Sequence, residues 1–235
     1  MTGWKEEGVL TAPKGSTIVF HEYKVPNATS VVLYLHGLPG GSLTSLTDIP
    51  AEMNKLGLAC VSFNYPGLWD AEGLFETGDV IDASETILNH LSKKYSSIVL
   101  FGESFGGLVA VHLVSRNLHL VDKVVLRSPL LDVQPILRFL PQTLQYLKDA
   151  GILQGNPNIN DLMKLNPILH LPKTAEIPFW GVIGKNDEVL PGQAMHNAST
   201  SFSHVNLELW HDFPHNSIPC QIWAQFMEQV VHFLG

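Results

Sequence analysis

Short apolar runs alternate along the chain with segments in which apolar residues recur every three or four positions. Seven runs are typical of strands: STIVFHEY, SVVLYL, LACVSF, SIVLF, KVVLRS, IPFWGVIG and VNLELW. The first alternates like an edge strand, and SVVLYL has the continuous apolar character of a buried strand. The segments LTSLTDIPAEMNKL, DVIDASETILNHLSKKY and LVAVHLVSRNL have the spacing of amphipathic helices. This alternation predicts a mostly parallel α/β sheet that is covered on both faces.

One stretch, residues 133–176, breaks the alternation. It lacks a convincing strand pattern, and its leucine-rich sequence is interrupted by proline and glycine, which predicts one or two short helices. We interpret it as a small helical lid inserted into a single domain that spans residues 1–235. Leu137 and Leu140 are expected to contact a substrate from this lid.

Composition narrows the classes of protein. The chain has 235 residues, of which 45% are hydrophobic and 15% charged, and this excludes a disordered chain. Its net charge of −8 without a basic run disfavours nucleic acid as a partner. No apolar run approaches membrane-spanning length, and the N-terminal residues lack the apolar region of a secretory signal, so we expect a cytoplasmic protein without stable membrane insertion. A homodimer stays open.

The segment GESFGG, residues 102–107, places Ser104 between glycines where a strand pattern gives way to a helix pattern. Small neighbours let the backbone turn sharply and let a substrate approach, so Ser104 is a candidate nucleophile. A glycine-rich turn with an incidental serine would have the same local pattern. Glu103 and Arg127, which lies near the end of the next strand, are expected to form an ion pair that supports the turn.

A serine nucleophile needs a base and a carboxylate that orients the base. Asp187 follows the run IPFWGVIG, and His215 follows VNLELW, in the order that such folds require. Asp132 is a second candidate for the acid, and His211 is a second candidate for the base. We prefer Asp187 because its loop lies one strand before the histidine, and His215 because it lies farther out in its loop. A metal site is disfavoured, since Pro214 argues against a helix that would place both histidines on one face.

Two backbone N–H groups are needed to stabilise the negative charge that acyl transfer develops on a carbonyl oxygen. The amide of Phe105, directly after the serine, is one candidate. The loop HGLPGG, residues 36–41, supplies the other, and we choose Leu38 because the following proline has no N–H. Gly37 in this loop and Trp69 in NYPGLWD are expected to line the substrate pocket.

These motifs together resemble the α/β-hydrolase superfamily. The resemblance rests on HGLPGG, FNYPG, GESFGG, GKNDEVLP and His215, and extends from about Thr17 to the last helix pattern. It implies an α/β-hydrolase fold with an eight-stranded, mostly parallel sheet, a triad of Ser104, Asp187 and His215, and neither cofactor nor metal. HGLPGG is similar to the HGGPG loop of prolyl iminopeptidases, while GESFGG and NYPG are similar to small serine esterases and prolyl-oligopeptidase-type domains.

The compact apolar lid favours a small-molecule ester over a peptide N-terminus as the substrate. The sequence therefore predicts a serine hydrolase of the carboxylesterase type that cleaves an ester with a small or medium apolar acyl or aryl group. A thioesterase, a lysophospholipase and an aminoacyl peptidase are alternatives that use the same triad. A ligand-binding receptor on the hydrolase fold is an alternative from another class.

Overall fold

The computed structural model describes residues 4–155 and 157–235, which form an eight-stranded sheet with flanking helices. In chain order the strands are Trp4–Thr11 (β1), Thr17–Lys24 (β2), Ser30–Leu35 (β3), Ala59–Phe63 (β4), Ser97–Glu103 (β5), Lys123–Arg127 (β6), Phe179–Gly184 (β7) and Val205–Trp210 (β8). Their order in the sheet is β1-β2-β4-β3-β5-β6-β7-β8. β2 is antiparallel to both β1 and β4, and every other pair is parallel. The predicted α/β-hydrolase fold is confirmed.

The edge of the sheet differs from the sequence prediction. The pattern missed β1, and β2, which it assigned to an edge, lies between β1 and β4. β1 has mostly exposed side chains and is held by backbone pairing that runs from Trp4 opposite Lys24 to Thr11 opposite Thr17. Because this pairing buries little apolar surface, the sequence of β1 does not show the alternation of apolar and polar residues by which a strand is predicted.

Seven helices cover the sheet within the described ranges, and they lie over two separate cores. They are Asp48–Lys55 (α1), Thr77–Leu91 (α2), Phe105–Arg116 (α3), Leu140–Asp149 (α4), Ile159–Lys164 (α5), Gly192–Ser199 (α6) and Cys220–Leu234 (α7). In β3, Leu33 faces the core beneath α2 and α3, whereas Val32 faces the core beneath α1 and α7. The continuous apolar run therefore reflects burial on both faces. No helix in the described part of the chain is long and apolar enough to cross a membrane.

Residues 133–176 contain α4, α5 and several 3-10 turns. The Asn166 side chain ties the start of this stretch to its end, because it accepts from the Val133 N–H at 3.0 Å and donates to Asp132 at 2.7 Å. The middle of the stretch is bonded to the loop after β4, where the backbone N–H of Trp69 donates to the Ile152 carbonyl at 2.8 Å. The segment thus packs over the carboxyl end of the sheet. That it acts as a lid stays a prediction.

Candidate active site

Ser104 lies on a strained turn between β5 and α3. Its backbone has φ of 50° and ψ of −115°, a conformation that residues other than glycine rarely adopt. Three hydrogen bonds hold the turn: the Ser104 N–H donates to the Arg127 carbonyl at 3.0 Å, and the Ser104 carbonyl accepts from Gly107 and Leu130 at 2.9 and 2.8 Å. The strain is thus balanced by pairing with the next strand and its loop.

The glycines around Ser104 are required by close backbone contacts. A β-carbon at position 106 would lie 1.9 Å from the Leu35 carbonyl oxygen, and one at position 102 would lie 2.8 Å from the Gly106 carbonyl oxygen. A β-carbon on Gly37 would lie 2.9 Å from the Ser104 β-carbon. A side chain at position 106 or 37 would therefore push the serine turn away from β3 and its loop, and one at position 102 would push β5 away from the first turn of α3.

His215 and Asp187 form a buried pair at the ends of β8 and β7. His215 Nδ1 lies 2.8 Å from one Asp187 carboxylate oxygen and 3.0 Å from the other. The Asp187 side chain is fully buried and also accepts from the N–H groups of Val189 and Leu190 at 2.9 and 2.7 Å. These donors leave the carboxylate oriented toward the imidazole. His215 Nδ1–H donates to it, which leaves Nε2 as the ring nitrogen free to act as a base.

The alternative acid and base lie elsewhere. Asp132 accepts from Asn166 and from the Gln134 N–H, and so belongs to the anchor of the 133–176 segment. His211 is exposed and contacts Asp212 at 2.7 Å. The geometry therefore brings together Asp187 and His215. Among the described residues, no group of three or more His, Cys, Asp or Glu side chains is arranged to hold a metal ion.

A cavity of about 260 Å³, here called the polar cleft, contains both Ser104 and His215 on its wall. Its other walls include the loop after β3 with Gly37 and Leu38, the start of α1, and the residues Glu103 and Arg127. Serine and imidazole thus face one solvent-accessible space.

A second cavity reaches Ser104 from the side of the 133–176 segment. This apolar cavity measures about 80 Å³. Apart from Ser104, its walls are nearly all apolar, and they include Leu38, Phe105, Leu130, Val133, Ile136 and Leu140. Leu38 borders both cavities, so the residues chosen as oxyanion donors, Leu38 and Phe105, lie beside the serine.

The loop that carries Leu38 is fixed from below by a buried histidine. The His36 ring stacks on Tyr65 with 4.1 Å between centroids, its Nδ1 lies 2.7 Å from the Gly37 carbonyl, and its own carbonyl accepts from the Tyr65 hydroxyl at 2.9 Å. Burial lowers the pKa of His36 to about 4, so the ring is neutral at pH 7. Gly40 approaches this ring so closely, with φ of 65°, that a β-carbon there would lie 2.4 Å from His36 Nδ1.

Two of the expected substrate contacts have other surroundings. Trp69 is 38% exposed, and its indole N–H donates to the Pro39 carbonyl at 2.7 Å, so that it supports the loop after β3. Leu137 packs against the core and is not among the residues that line either cavity. Gly37 and Leu140, in contrast, line the polar cleft and the apolar cavity. A substrate contact by Trp69 or Leu137 stays a prediction.

The expected ion pair between Glu103 and Arg127 is present beneath the serine turn. A third member of this group was not predicted from the sequence: the Tyr34 hydroxyl donates to the other Glu103 oxygen at 2.5 Å. The Arg127 guanidinium also lies over the Trp223 ring, 5.7 Å from its centroid. A tyrosine near the end of the buried run SVVLYL was the available signal, because a phenol buried there needs a polar partner.

Comparison with known proteins supports the architecture. A family model for the alpha/beta hydrolase fold matches residues 30–165. The chain is 26% identical over 175 residues to an uncharacterized membrane protein of Saccharomyces cerevisiae and 25% identical over 186 residues to acylamino-acid-releasing enzyme of Homo sapiens. These matches cover 72% and 71% of this chain, but only 58% and 25% of the relatives' own lengths.

A solved structure is similar over nearly the whole chain. The esterase Pf2001 of Pyrococcus furiosus matches with a TM-score of 0.76 over 99% of this chain and 92% of its own. Because only 17% of the residues are identical, this likeness shows the fold alone. The cytoplasmic location expected from the sequence stays a prediction.

Proposed function

We propose that this chain, which belongs to the α/β-hydrolase fold family, is a serine hydrolase that cleaves a carboxylic ester with a small or medium apolar acyl or aryl group. One observation carries the proposal: His215 is bonded at Nδ1 to the buried Asp187, and it faces the same cavity as Ser104. Ser104 in turn lies on a strained turn and lines that cavity.

In the proposed acylation step, Ser104 Oγ attacks the ester carbonyl carbon while His215 Nε2 takes the hydroxyl proton. The carbonyl oxygen becomes an oxyanion, which the Phe105 and Leu38 amides stabilise. The tetrahedral intermediate then collapses, the bond to the alcohol oxygen breaks, and His215 returns the proton to the leaving alcohol. Asp187 holds the imidazole in the required tautomer and stabilises its protonated form.

In the proposed deacylation step, water attacks the acyl-serine ester. His215 takes a proton from this water and then gives it to Ser104 Oγ as the acyl bond breaks. The carboxylic acid product and the free serine result, so no cofactor is required for the balance of atoms and protons. The same oxyanion donors act in both steps.

The two cavities that meet at Ser104 would hold different parts of the substrate. The apolar cavity suits the acyl or aryl group, because its walls offer almost no polar partners. The polar cleft suits the leaving alcohol and the attacking water, since His215 and the Glu103 and Arg127 side chains face it. A small acyl group fits the narrower space.

A fluorophosphonate probe tests the nucleophile. Intact mass should show one adduct on the wild-type protein and none on Ser104→Ala, because the probe phosphorus reacts with an activated serine. Hydrolysis of p-nitrophenyl acetate, butyrate and octanoate should accompany labelling and should disappear in the same variant. An adduct that survives Ser104→Ala would contradict the proposal.

A second candidate is cleavage of an aminoacyl amide, which the similarity to acylamino-acid-releasing enzyme favours. The same groups would serve, with His215 protonating a leaving amine instead of an alcohol. The chain spans only a quarter of that relative's length, so the relative's activity carries over to this chain as a proposal and no more. Acetyl-alanyl p-nitroanilide and p-nitrophenyl butyrate at equal concentrations separate the two candidates. A higher kcat/KM for the anilide would favour cleavage of an aminoacyl amide over cleavage of an ester.

A further inference from the structure

Two neighbouring carboxylates after β7 hold His215 in different ways. Asp187 contacts the imidazole ring, as described above. Glu188 contacts the backbone of the same histidine: one of its carboxylate oxygens accepts from the His215 N–H at 2.9 Å, and the other accepts from the Asn216 N–H at 2.8 Å. The side chain and the backbone of His215 are thus fixed by adjacent residues of one turn.

Residues 211–218, which form most of the loop between β8 and α7, have few backbone hydrogen bonds. Among the described residues, Glu188 is the partner in both hydrogen bonds that the backbone of residues 211–218 makes, and the loop's last residue, Pro219, is bonded to α7 instead. The loop is also anchored by Phe213, which is buried and packs its carbonyl against Gly184. Position 217 is a serine with φ of 50°. Packing therefore fixes the loop two residues before His215, and Glu188 fixes it at His215 itself.

The bond pattern requires a carboxylate. Both oxygens of Glu188 accept from successive N–H groups, and an amide would place its NH₂ donor against one of them. Burial raises the pKa of Glu188, but the N–H groups of Asn216 and His215 outweigh this effect and lower its pKa on balance. The side chain is therefore ionised at neutral pH, although Glu188 itself is exposed.

We propose that Glu188 is a positioning residue, which sets the place of the His215 ring by fastening the backbone of its loop. This inference rests on the proposed function, because it supposes that the rate of proton transfer from Ser104 to His215 depends on the position of the loop. His215 carries the base on a short side chain, so a displacement of its backbone moves Nε2 away from Ser104. A shift of about 1 Å in a reacting group can cost about 100-fold in rate.

The test uses Glu188→Ala and Glu188→Gln, with Asp212→Ala as the matched control. Asp212 is a carboxylate in the same loop, but it is exposed, and its one hydrogen-bonded partner among the described residues is the exposed His211. Glu188→Ala should lower kcat for p-nitrophenyl butyrate by about 10- to 100-fold with little change in KM. Glu188→Gln keeps one acceptor and should lose less, and Asp212→Ala should stay within about twofold of wild type.

Amide hydrogen exchange of the peptide that covers residues 211–218 provides a readout that is independent of turnover. Glu188→Ala should accelerate exchange there by about tenfold or more, because two N–H groups lose their acceptor, while the melting temperature and exchange in β5 stay near wild type. Asp212→Ala should leave exchange in the peptide unchanged.

Each outcome decides the inference. Faster exchange together with lower kcat supports it. Faster exchange with unchanged kcat overturns it, because the loop would then be fastened without effect on the reaction, and lower kcat without faster exchange overturns it as well. A wild-type protein that neither hydrolyses the ester nor reacts with the fluorophosphonate probe would instead defeat the proposed function, and the inference with it.

Discussion

The two cavities that meet at Ser104 have walls of different kinds. The polar cleft is bounded by loops whose shape depends on hydrogen bonds, an ion pair and buried rings, such as the Glu103 pair and the His36 stack. The apolar cavity is bounded mostly by aliphatic and aromatic side chains, several of which come from residues 133–176. Directional contacts tolerate little change, whereas apolar packing tolerates swaps of similar volume. We therefore expect the polar cleft to determine the rate of reaction and the apolar cavity to determine the choice of substrate.

The largest effect is expected from Asp187→Asn on the side of the polar cleft. The amide would favour the wrong imidazole tautomer, so kcat for p-nitrophenyl butyrate should fall by about 10⁴-fold while the fold is kept. Asp132→Asn is the matched control, since Asp132 contacts Asn166 rather than His215. Steady-state kinetics and thermal melting check both variants. A larger loss of kcat in Asp132→Asn would show that the acid had been assigned wrongly.

An intermediate effect is expected when the pH is lowered, because a buried histidine supports the walls of each cavity. Acid should lower the free energy of unfolding. Burial lowers the pKa of His36, at the loop of the polar cleft, and of His112, which contacts the Leu165 carbonyl in the 133–176 segment, to about 4 in each case. The ordinary value is 6.5, so the unfolded chain binds more protons than the folded chain between pH 6.5 and 4. The stability present above pH 6.5 is therefore lost as the pH falls toward 4.

Urea unfolding at pH 7 and pH 5 measures this loss. Each of the two histidines should account for about 2 kcal/mol of the difference in unfolding free energy, and His36→Gln or His112→Gln should remove that share. His211→Gln is the control, because His211 is exposed and its side chain gains no buried environment on folding. If His36→Gln left the difference between the two pH values unchanged, the acid sensitivity would lie outside the polar cleft.

The sequence was most informative about the ends of buried strands. Strand ends are marked by continuous apolar runs that stop at glycine or polar residues, so the positions of Ser104, Asp187 and His215 after β5, β7 and β8 could be predicted from the pattern. Because the carboxyl ends of parallel strands meet at one edge, this order also placed the three residues near one another.

Other features depended on contacts that leave no periodic signal. β1 is held by backbone pairing with few buried side chains, and Glu188 acts on a backbone that is 27 residues away. The glutamate could have been noticed as the neighbour of Asp187, but nothing in its local sequence identifies its two partners. The orientations of Leu137 and Leu140 depend on how the helices of the 133–176 segment dock, which spacing alone does not determine.

The smallest effect is expected in the apolar cavity, where Leu140→Phe should narrow the space for the acyl group. The ratio of kcat/KM for p-nitrophenyl octanoate to that for p-nitrophenyl acetate should fall by about tenfold, because a change of one or two methylene-sized volumes in an apolar pocket has that order of effect. Turnover of the acetate should change little, since its acyl group does not reach the substituted wall.

Leu137→Phe is the matched control, because Leu137 is a nearby leucine that is not among the residues lining the cavity. It should leave the ratio near the wild-type value. An equal fall in both variants would mean that both leucines contact the acyl group, and the cavity would then be wider in the acyl-enzyme than in the free protein. A fall in acetate turnover in Leu140→Phe alone would contradict the separate roles of the two cavities, because a side chain of the apolar cavity would then also determine the rate.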